Sequence, residues 1–267
     1  LTTGSLSHLA NEVVAQTGDK HYARKLYKKA EGLSRYQPET MALAESIFND
    51  LEDDTWTRDI YTARMEASTN EVDVLNVVDG VLDNLKDTDW ARKVYTGMED
   101  RAKSSNDFVR LARVVLDKLG DADWAGELFD KAKEACDSIV GCTSAAQALK
   151  ASLGDDNRVR GFFDKAESLC SSANDYDTLA RAAVQVGMKE VAQEKIQAAE
   201  GKFSDAGDLK RLAEALLSRL GDQEGARRIY QKALKAAGSG QRQSDVILSI
   251  KNRLGDEGWS QKLYRML

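Results

Sequence analysis

The stretch GDADWAGELFDKAK, residues 120–133, decides the fold because near-copies of it recur along the chain at a fixed spacing. Gapless alignment places GDKHYARKLYKKAE at residues 18–31, KDTDWARKVYTGME at 86–99 and GDQEGARRIYQKAL at 221–234. Weaker copies begin at residues 52, 154, 187 and 255, so successive copies lie 34 residues apart, with one interval of 33. This period is typical of helical repeats, in which each unit buries its apolar face against its neighbours.

We call the first residue of each copy the anchor. It is usually glycine, which is preferred just past the C-terminus of a helix, and the aspartate that follows can cap the next helix. Each anchor is therefore predicted to be a short turn between two helices. The capping candidates are Asp19, Asp53, Asp87, Asp121, Asp155, Asp222 and Asp256.

Apolar residues recur with the helical period on both sides of the turn. In NDFVRLARVVLDKLG, residues 106–120, one face holds Phe108, Leu111, Ala112, Val115, Leu116 and Leu119. After the turn, the apolar positions are Trp124, Ala125, Leu128, Phe129 and Ala132. Two such helices cannot bury this face alone, so neighbouring hairpins must stack.

The second helix of each copy resembles the tetratricopeptide repeat, whose spacing Gly-x4-Ala-x3-aromatic-x2-Ala is met by Gly18, Ala23, Tyr27 and Ala30. The run WARKVY at residues 90–95 resembles the half-a-TPR variant. The resemblance implies an all-α, right-handed α-solenoid, a superhelix of about eight stacked antiparallel hairpins. It also implies a groove, formed by the first helices, that holds a peptide or partner helix.

The repeat predicts a single domain over residues 1–267. Its hairpins are expected at residues 5–34, 39–68, 72–102, 106–136, 142–170, 175–203, 207–237 and 243–267. The last copy ends in apolar residues with no following helix, so we expect a fragment of a longer protein or self-association through this uncapped end.

The net charge of −6 and the isoelectric point near 5.2 argue against a general nucleic-acid surface, because phosphate binding needs an excess of Lys and Arg. No stretch approaches the roughly 18 apolar residues of a membrane span, and no signal-peptide pattern occurs. A cytoplasmic protein without membrane contact is therefore expected. Because the chain begins at Leu1, its native N-terminus is expected to be missing.

Three cysteines are too few, and odd in number, for a disulfide framework, which favours a reducing compartment. Cys142 shares the slot of Phe108 and is predicted to be a small buried apolar residue. Cys136 and Cys170 lie one repeat apart. Because stacked helices are about 8–10 Å apart, no bridge between these two is expected.

A recurrent aromatic slot precedes the small residue of the second helix and holds Tyr22, Trp56, Trp90, Trp124 and Trp259. A ligand-binding cage is one interpretation, and packing between hairpins is the favoured one because the slot repeats on an apolar stripe.

The sequence shows no catalytic, metal or cofactor motif. His8 and His21 lack a second ligand pair at zinc spacing and are predicted to lie on the surface. No nucleophile elbow, phosphate loop or His-Glu-x-x-His run is present. The chain is predicted not to be an enzyme and to bind no cofactor.

Polar residues on the first helices form a variable stripe away from the apolar face, which changes along the chain from acidic and Asn-rich to basic. An ordinary solvated face would explain each residue alone, whereas the stripe as a whole is the best candidate for partner binding. The candidate residues are Asn49, Asn76, Asp79, Asp83, Arg110, Arg113, Lys118, Arg181, Arg211 and Arg219.

The favoured function is a scaffold that binds a protein or peptide on the first helices, with an acidic segment as the partner of the arginines. The alternative is an RNA-binding or RNA-processing repeat, as the half-a-TPR resemblance implies, although the overall acidity counts against it.

Overall fold

The structure, a computed structural model, describes residues 1–238 and 240–266. Sixteen α-helices, together with three π-helical turns, account for 83% of this part of the chain, which contains no strand. The predicted all-α repeat fold is confirmed. The helices are α1 Thr3–Thr17, α2 Lys20–Leu33, α3 Gln37–Leu51, α4 Asp54–Glu66, α5 Glu71–Gly80, α6 Thr88–Glu99, α7 Ser105–Leu119, α8 Ala122–Glu134, α9 Ile139–Leu153, α10 Asp156–Ser168, α11 Ala173–Gln185, α12 Lys189–Lys202, α13 Ala206–Ala215, α14 Gln223–Ala237, α15 Gln241–Ser249 and α16 Glu257–Tyr264.

Three first helices end in a wide π-helical turn of five residues. These turns are Val81–Leu85 after α5, Leu216–Leu220 after α13 and Ile250–Leu254 after α15. Such turns accommodate an extra residue inside a helix and often occur at functional positions. Two of these turns follow the neighbouring first helices α13 and α15 and contribute residues to their polar surface.

The helices form two compact units, unit 1 at Leu1–Arg101 and unit 2 at Ala102–Leu267. Within each unit, odd-numbered helices are the first helices of hairpins and even-numbered helices are the second. Each first helix packs against its own second helix and against the next first helix, as α7 does with α8 and α9. The interpretation as one domain and as a fragment stays a prediction.

The predicted eighth hairpin ends at Leu267, which lies outside the described residues. In α16 and just after it, Tyr264 and Met266 are exposed. Self-association through this hairpin stays a prediction.

Most of the largest buried side chains occupy one slot, nine residues after the anchor. Small residues flank the ring, such as Ala23 and Ala30 around Tyr27, and let neighbouring helices approach closely. The slot holds Tyr27, Tyr61, Tyr95, Phe129, Phe163 and Tyr230, all at most 1% exposed. Burial of these rings supplies much of the packing between the helices of a hairpin.

The anchors form the turns predicted from the sequence. Gly18, for example, has a left-handed backbone, and the Asp19 carboxylate accepts a hydrogen bond from the Tyr22 backbone N–H at 2.9 Å. All seven predicted aspartates lie at N-caps and accept a backbone N–H of the first helical turn. They thereby satisfy backbone donors that would otherwise lack a partner.

Two anchors are not glycine, and both hold the left-handed backbone: Glu52 has φ of 56° and Lys86 has φ of 53°. This conformation costs a residue with a Cβ roughly 1 kcal/mol. Glu52→Gly and Lys86→Gly are each expected to raise the free energy of unfolding by about 0.5–1 kcal/mol. Urea unfolding followed by circular dichroism measures this. The matched control is Ala198→Gly at an exposed position inside α12, which should lower the free energy of unfolding. A lower free energy of unfolding in both anchor variants would contradict the prediction.

The cysteines differ from the prediction. Cys136, just after α8, and Cys142, in the first turn of α9, form a disulfide with a Cα–Cα distance of 5.6 Å. The slot of Cys142 is buried as predicted, but its sulfur is not a free thiol. Sequence spacing missed the pair because the short turn, rather than the repeat period, brings these two residues together. Cys170 is free, so the predicted absence of a Cys136–Cys170 bridge is correct.

The tryptophan slot is only half-buried, in contrast to the buried position that the apolar stripe predicted. Trp56 packs against the core of unit 1, and its exposed face lies 5.5 Å from the Arg24 guanidinium of the preceding hairpin. Arg227 lies over Trp259 in the same way, at 5.1 Å. These rings therefore pack between hairpins while remaining partly in solvent, and cation–π contact joins each to its neighbour.

Arg24 and Arg227 also bind the capping aspartate of the next hairpin. Arg24 lies 2.7 Å from Asp53, and Arg227 pairs with Asp256. Arg58, at the same position of its repeat, pairs with Asp87. The backbone N–H of Trp56 and the Arg24 guanidinium hold the pKa of Asp53 below its usual value. A single side chain thus contacts both the cap and the aromatic ring of the following repeat.

One junction exchanges these roles. The position of the arginine holds Gly126, and the position of the tryptophan holds Arg158. A Cβ on Gly126 would meet the Arg158 guanidinium at 2.9 Å, so the arginine fills the space that the glycine leaves. Arg158 lies 3.1 Å from Asp130 and 3.0 Å from Asp155. This junction also has a cation between the two hairpins, but the arginine belongs to the following hairpin instead of the preceding one.

Candidate partner-binding face

Charged residues on the second helices are largely used to hold hairpins together. Arg160 of α10 lies 2.7 Å from Glu194 of α12, and Arg228 of α14 lies 2.8 Å from Glu200 of α12. Lys195 of α12 is buried between Asp164 and Glu167 of α10, at 2.5 and 2.9 Å. These side chains are therefore committed to contacts inside the array.

The two units differ in charge. Unit 1 carries 12 Lys and Arg against 19 Asp and Glu, a formal charge of −7, whereas unit 2 carries 26 against 25, a charge of +1. The predicted change from acidic to basic therefore coincides with the division into units. We treat their first-helix faces separately.

In unit 1, the candidate residues lie on α3, on α5 and in the π turn that follows α5. Asn49, Asn76 and Asp83 are exposed, and Asp79 is half-buried. The neighbouring Asp50 is not available to a partner, because the Tyr27 hydroxyl donates to its carboxylate.

In unit 2, the first-helix face is the exposed side of α7, α9, α11, α13 and α15. Arg110 and Lys118 are exposed and lie near acidic residues of α7, at 3.3 Å from Asp107 and 4.0 Å from Asp117 respectively. Arg219 is half-buried and makes two hydrogen bonds to Asp177 of α11, at 2.9 and 3.1 Å. Arg219 therefore braces two helices.

The remaining arginines of this face have no acidic partner. Arg113 on α7 and Arg181 on α11 are exposed and make no ion pair with any described residue. Arg211 on α13 is exposed and donates to the Asn174 side chain at 2.9 Å. Three guanidinium groups on three first helices are therefore free to accept an anionic partner.

Two cavities on the first-helix face of unit 2 are lined by the candidate arginines. The smaller, of about 440 Å³, lies between α7 and α9 and is lined by Arg113, Val114 and Ser152. The larger, of about 490 Å³, is lined by residues of α11, of α13 and of the π turns that follow α13 and α15. We call the larger one the arginine cavity. Its polar lining is Asp177, Arg211, Glu214, Ser218, Arg219, Asn252 and Arg253, and its apolar lining is Ala215 and Leu217.

The sequence did not reveal that the residue two positions before an anchor can form a hydrogen bond with the buried tyrosine of the preceding repeat. Asp50 and Asn84 occupy this position and are hydrogen-bonded to the hydroxyls of Tyr27 and Tyr61 respectively. In the last hairpin the same position holds Arg253, and the corresponding tyrosine is Tyr230. The signal is a fixed spacing between a tyrosine and a polar residue 23 positions later, as in Tyr27 and Asp50.

The Tyr230 hydroxyl differs from those of Tyr27 and Tyr61, because it is fully buried and makes no hydrogen bond to the residue 23 positions later. Ser249 lies beside it and donates to Glu214. Burial raises the pKa of Tyr230 to about 12, a hydrogen bond with the Ser249 side chain opposes the rise, the adjacent Glu214 carboxylate adds to it, and Arg253 opposes it. The hydroxyl therefore remains protonated beside two residues that line the arginine cavity.

His8 and His21 are exposed, as predicted. Over residues 1–238 and 240–266, no three His, Cys, Asp or Glu side chains gather as metal ligands could. In the same part of the chain, every helix is too short or too polar to cross a membrane.

No protein-family model matches the chain, and no curated protein matches it. Among solved structures it is similar to one described as "Circular tandem repeat protein with novel repeat topology and enhanced subunit contact surfaces", at 17% sequence identity and a TM-score of 0.14. The match covers 98% of this chain and 56% of that chain, so this chain spans about half the length of the solved one. The fold assignment rests on the helices themselves.

Proposed function

We propose that this protein is a non-catalytic scaffold of the tetratricopeptide or half-a-TPR type, which binds an acidic peptide segment or partner protein on the first-helix face of unit 2. The observation that carries the proposal is that Arg113, Arg181 and Arg211 are exposed there without an acidic partner. Second-helix arginines such as Arg160, by contrast, are paired across hairpins.

Arginine suits this role because its planar guanidinium can hold a carboxylate through two parallel hydrogen bonds. Such groups on α7, α11 and α13 would contact an extended segment at several points. Each contact contributes about 1.5–3 kcal/mol if it is partly desolvated, and about zero to 1 kcal/mol if it is fully exposed. Several contacts are therefore needed for useful affinity.

Single-stranded RNA could also contact arginines, but nonspecific RNA binding usually adds aromatic platforms on which bases stack. Among the described residues of α7, α9, α11, α13 and α15, none of the aromatic side chains is exposed. This favours a peptide as the partner and makes RNA the alternative outcome of the test below.

The variant Arg113→Glu/Arg181→Glu is expected to weaken binding of a short Glu-Ala peptide by about tenfold to a hundredfold, because two attractive contacts become repulsive. Fluorescence anisotropy of the labelled peptide measures the affinity. The matched control, Lys189→Glu/Lys235→Glu, changes the net charge equally at exposed positions of second helices.

The control should bind like the wild type, and both variants should melt like it. Equal losses in the two variants would indicate long-range charge attraction only. Tighter binding of oligouridine than of the Glu-Ala peptide, with a steep salt dependence, would replace the scaffold with an RNA-binding protein.

A further inference from the structure

The first helices of unit 1 carry charge of one sign only. They hold eight Asp and Glu, one in α1, three in α3 and four in α5 with its π turn, and no Lys or Arg. All twelve Lys and Arg of unit 1 lie instead on its second helices or in its turns. The cations that join neighbouring hairpins are therefore absent from the first-helix face of unit 1, which is acidic.

Two carboxylates of this face are available to a partner. Glu45 on α3 and Asp83 in the π turn after α5 are exposed, and neither forms an ion pair with a described residue. Both lie near the Tyr61 hydroxyl: burial raises the pKa of Tyr61, a hydrogen bond from Asn84 opposes the rise, and the two carboxylates add to it. Negative charge from two neighbouring first helices is thus brought close together.

The first-helix face of unit 2 has the opposite charge. Its five first helices, with their π turns, hold eleven Lys and Arg against seven Asp and Glu, a formal charge of +4. Arg181 on α11 and Arg211 on α13 are exposed without an acidic partner, and these two helices pack against each other. Glu45 and Asp83 likewise belong to neighbouring first helices, since α3 packs against α5.

The two faces also match in spacing, because both are built from the same repeat. The slot seven residues before the anchor holds Glu45 and Asp79 in unit 1 and Arg113 in unit 2. Arg181 takes this slot once the shorter interval of 33 residues is allowed for. Packed helices lie about 8–10 Å apart. Carboxylates on two first helices of unit 1 can therefore meet guanidinium groups on two first helices of unit 2 at the same interval.

From this match we infer that the acidic partner of the unit 2 face is the unit 1 face of a second copy of this chain, so that the protein associates with itself through its first helices. The inference rests on the proposed function and names its partner. A second copy satisfies both faces at once, whereas a separate basic segment would leave the arginines of unit 2 without a partner. Opposite charges on matching faces also set the register of such a contact.

Charge reversal on either face tests this contact by sedimentation velocity at low salt, where exposed charges are least screened. The acidic-face variant, Glu45→Lys/Asp83→Lys, and the basic-face variant, Arg181→Glu/Arg211→Glu, are each expected to weaken self-association by about tenfold to a hundredfold, because attraction becomes repulsion. An equimolar mixture of the two variants should associate again, since each supplies the face that the other can bind. The Glu-Ala peptide should compete with self-association of the wild type.

Each variant has a control with the same change of net charge on second helices. Asp59→Lys/Glu66→Lys, at exposed positions of α4, is the control for the acidic-face variant. Lys189→Glu/Lys235→Glu is the control for the basic-face variant. Both controls should associate like the wild type, and all four variants should melt like it.

A wild type that stays monomeric but binds the Glu-Ala peptide normally would overturn the second copy as partner and leave the scaffold standing. A wild type that neither binds the peptide nor associates would overturn both. Self-association that survives in both face variants, or a mixture of them that stays monomeric, would exclude the contact between these faces and overturn the inference. Binding of a Lys-Ala peptide by a monomeric wild type would also overturn it and assign the unit 1 face to a basic segment.

Discussion

Phe129→Ala is expected to lower the free energy of unfolding by about 3–5 kcal/mol, because it leaves a cavity where a large side chain is fully buried. Phe129 occupies the recurrent ring slot of α8, and Ala125 and Ala132 beside it are also fully buried. These alanines are too small to fill the space. Urea unfolding followed by circular dichroism at 222 nm, the usual helix signal, measures the loss.

Trp124→Ala is the control from the neighbouring aromatic slot. Its ring is larger but only half-buried, so the loss should be smaller than for Phe129→Ala. Because hairpins contact only their neighbours, both variants should also broaden the unfolding transition. An equal or greater loss for Trp124→Ala would mean that the tryptophan slot, rather than the Phe129 slot, holds the hairpins together.

Lys195→Ala is expected to cost about 3 kcal/mol, because it removes the buried cation that two acidic residues share. The Lys195 side chain is 4% exposed and that of Glu167 is 19% exposed, so Glu167 keeps only Lys202 as a cation and cannot be fully hydrated. The control is Lys232→Ala, which removes a lysine that is 53% exposed from Glu200 while Arg228 stays bound to that carboxylate. That change should cost about zero to 1 kcal/mol. Equal costs would contradict the buried-pair interpretation.

The pH dependence provides a second test of this network. Burial alone would raise the pKa of Glu167, but hydrogen bonds from Lys195 and Lys202 outweigh it and hold that pKa below its usual value. The resulting stabilisation is fully present above the pKa of a glutamate in the unfolded chain, about 4.3. It is lost as the pH falls through the lower pKa of Glu167 in the folded protein. The stability gap between wild type and Lys195→Ala should therefore narrow as the solution is acidified below about pH 4.

The repeat period was sufficient to predict the helices and their caps, because glycine and aspartate at each anchor act through local backbone geometry. The repeat period did not predict features that depend on contacts between neighbouring helices. The Cys136–Cys142 bridge depends on the α8–α9 turn, and the half-burial of Trp124 on how its hairpin stacks. Periodicity shows which face of a helix is apolar, but not how deeply each residue on it is covered.

The candidate site was predictable only in outline. The stripe correctly placed Arg113, Arg181 and Arg211 on exposed first-helix positions. It could not show that Arg219 is bound to Asp177, because that fact depends on contacts between helices. A surface stripe indicates which side chains face solvent, while their availability depends on what the neighbouring repeat supplies.

The arginine that binds the capping aspartate of the next hairpin gives the array a direction. Arg24 reaches forward to Asp53, Arg58 to Asp87 and Arg227 to Asp256. Within a unit, loss of a hairpin from the N-terminal side therefore leaves the following helix with an aspartate cap that has lost its cation. Loss from the C-terminal side leaves every remaining cap with its partner. Loss of hairpins is thus costlier from the N-terminal end, and each hairpin acts as a template for the start of the one that follows it.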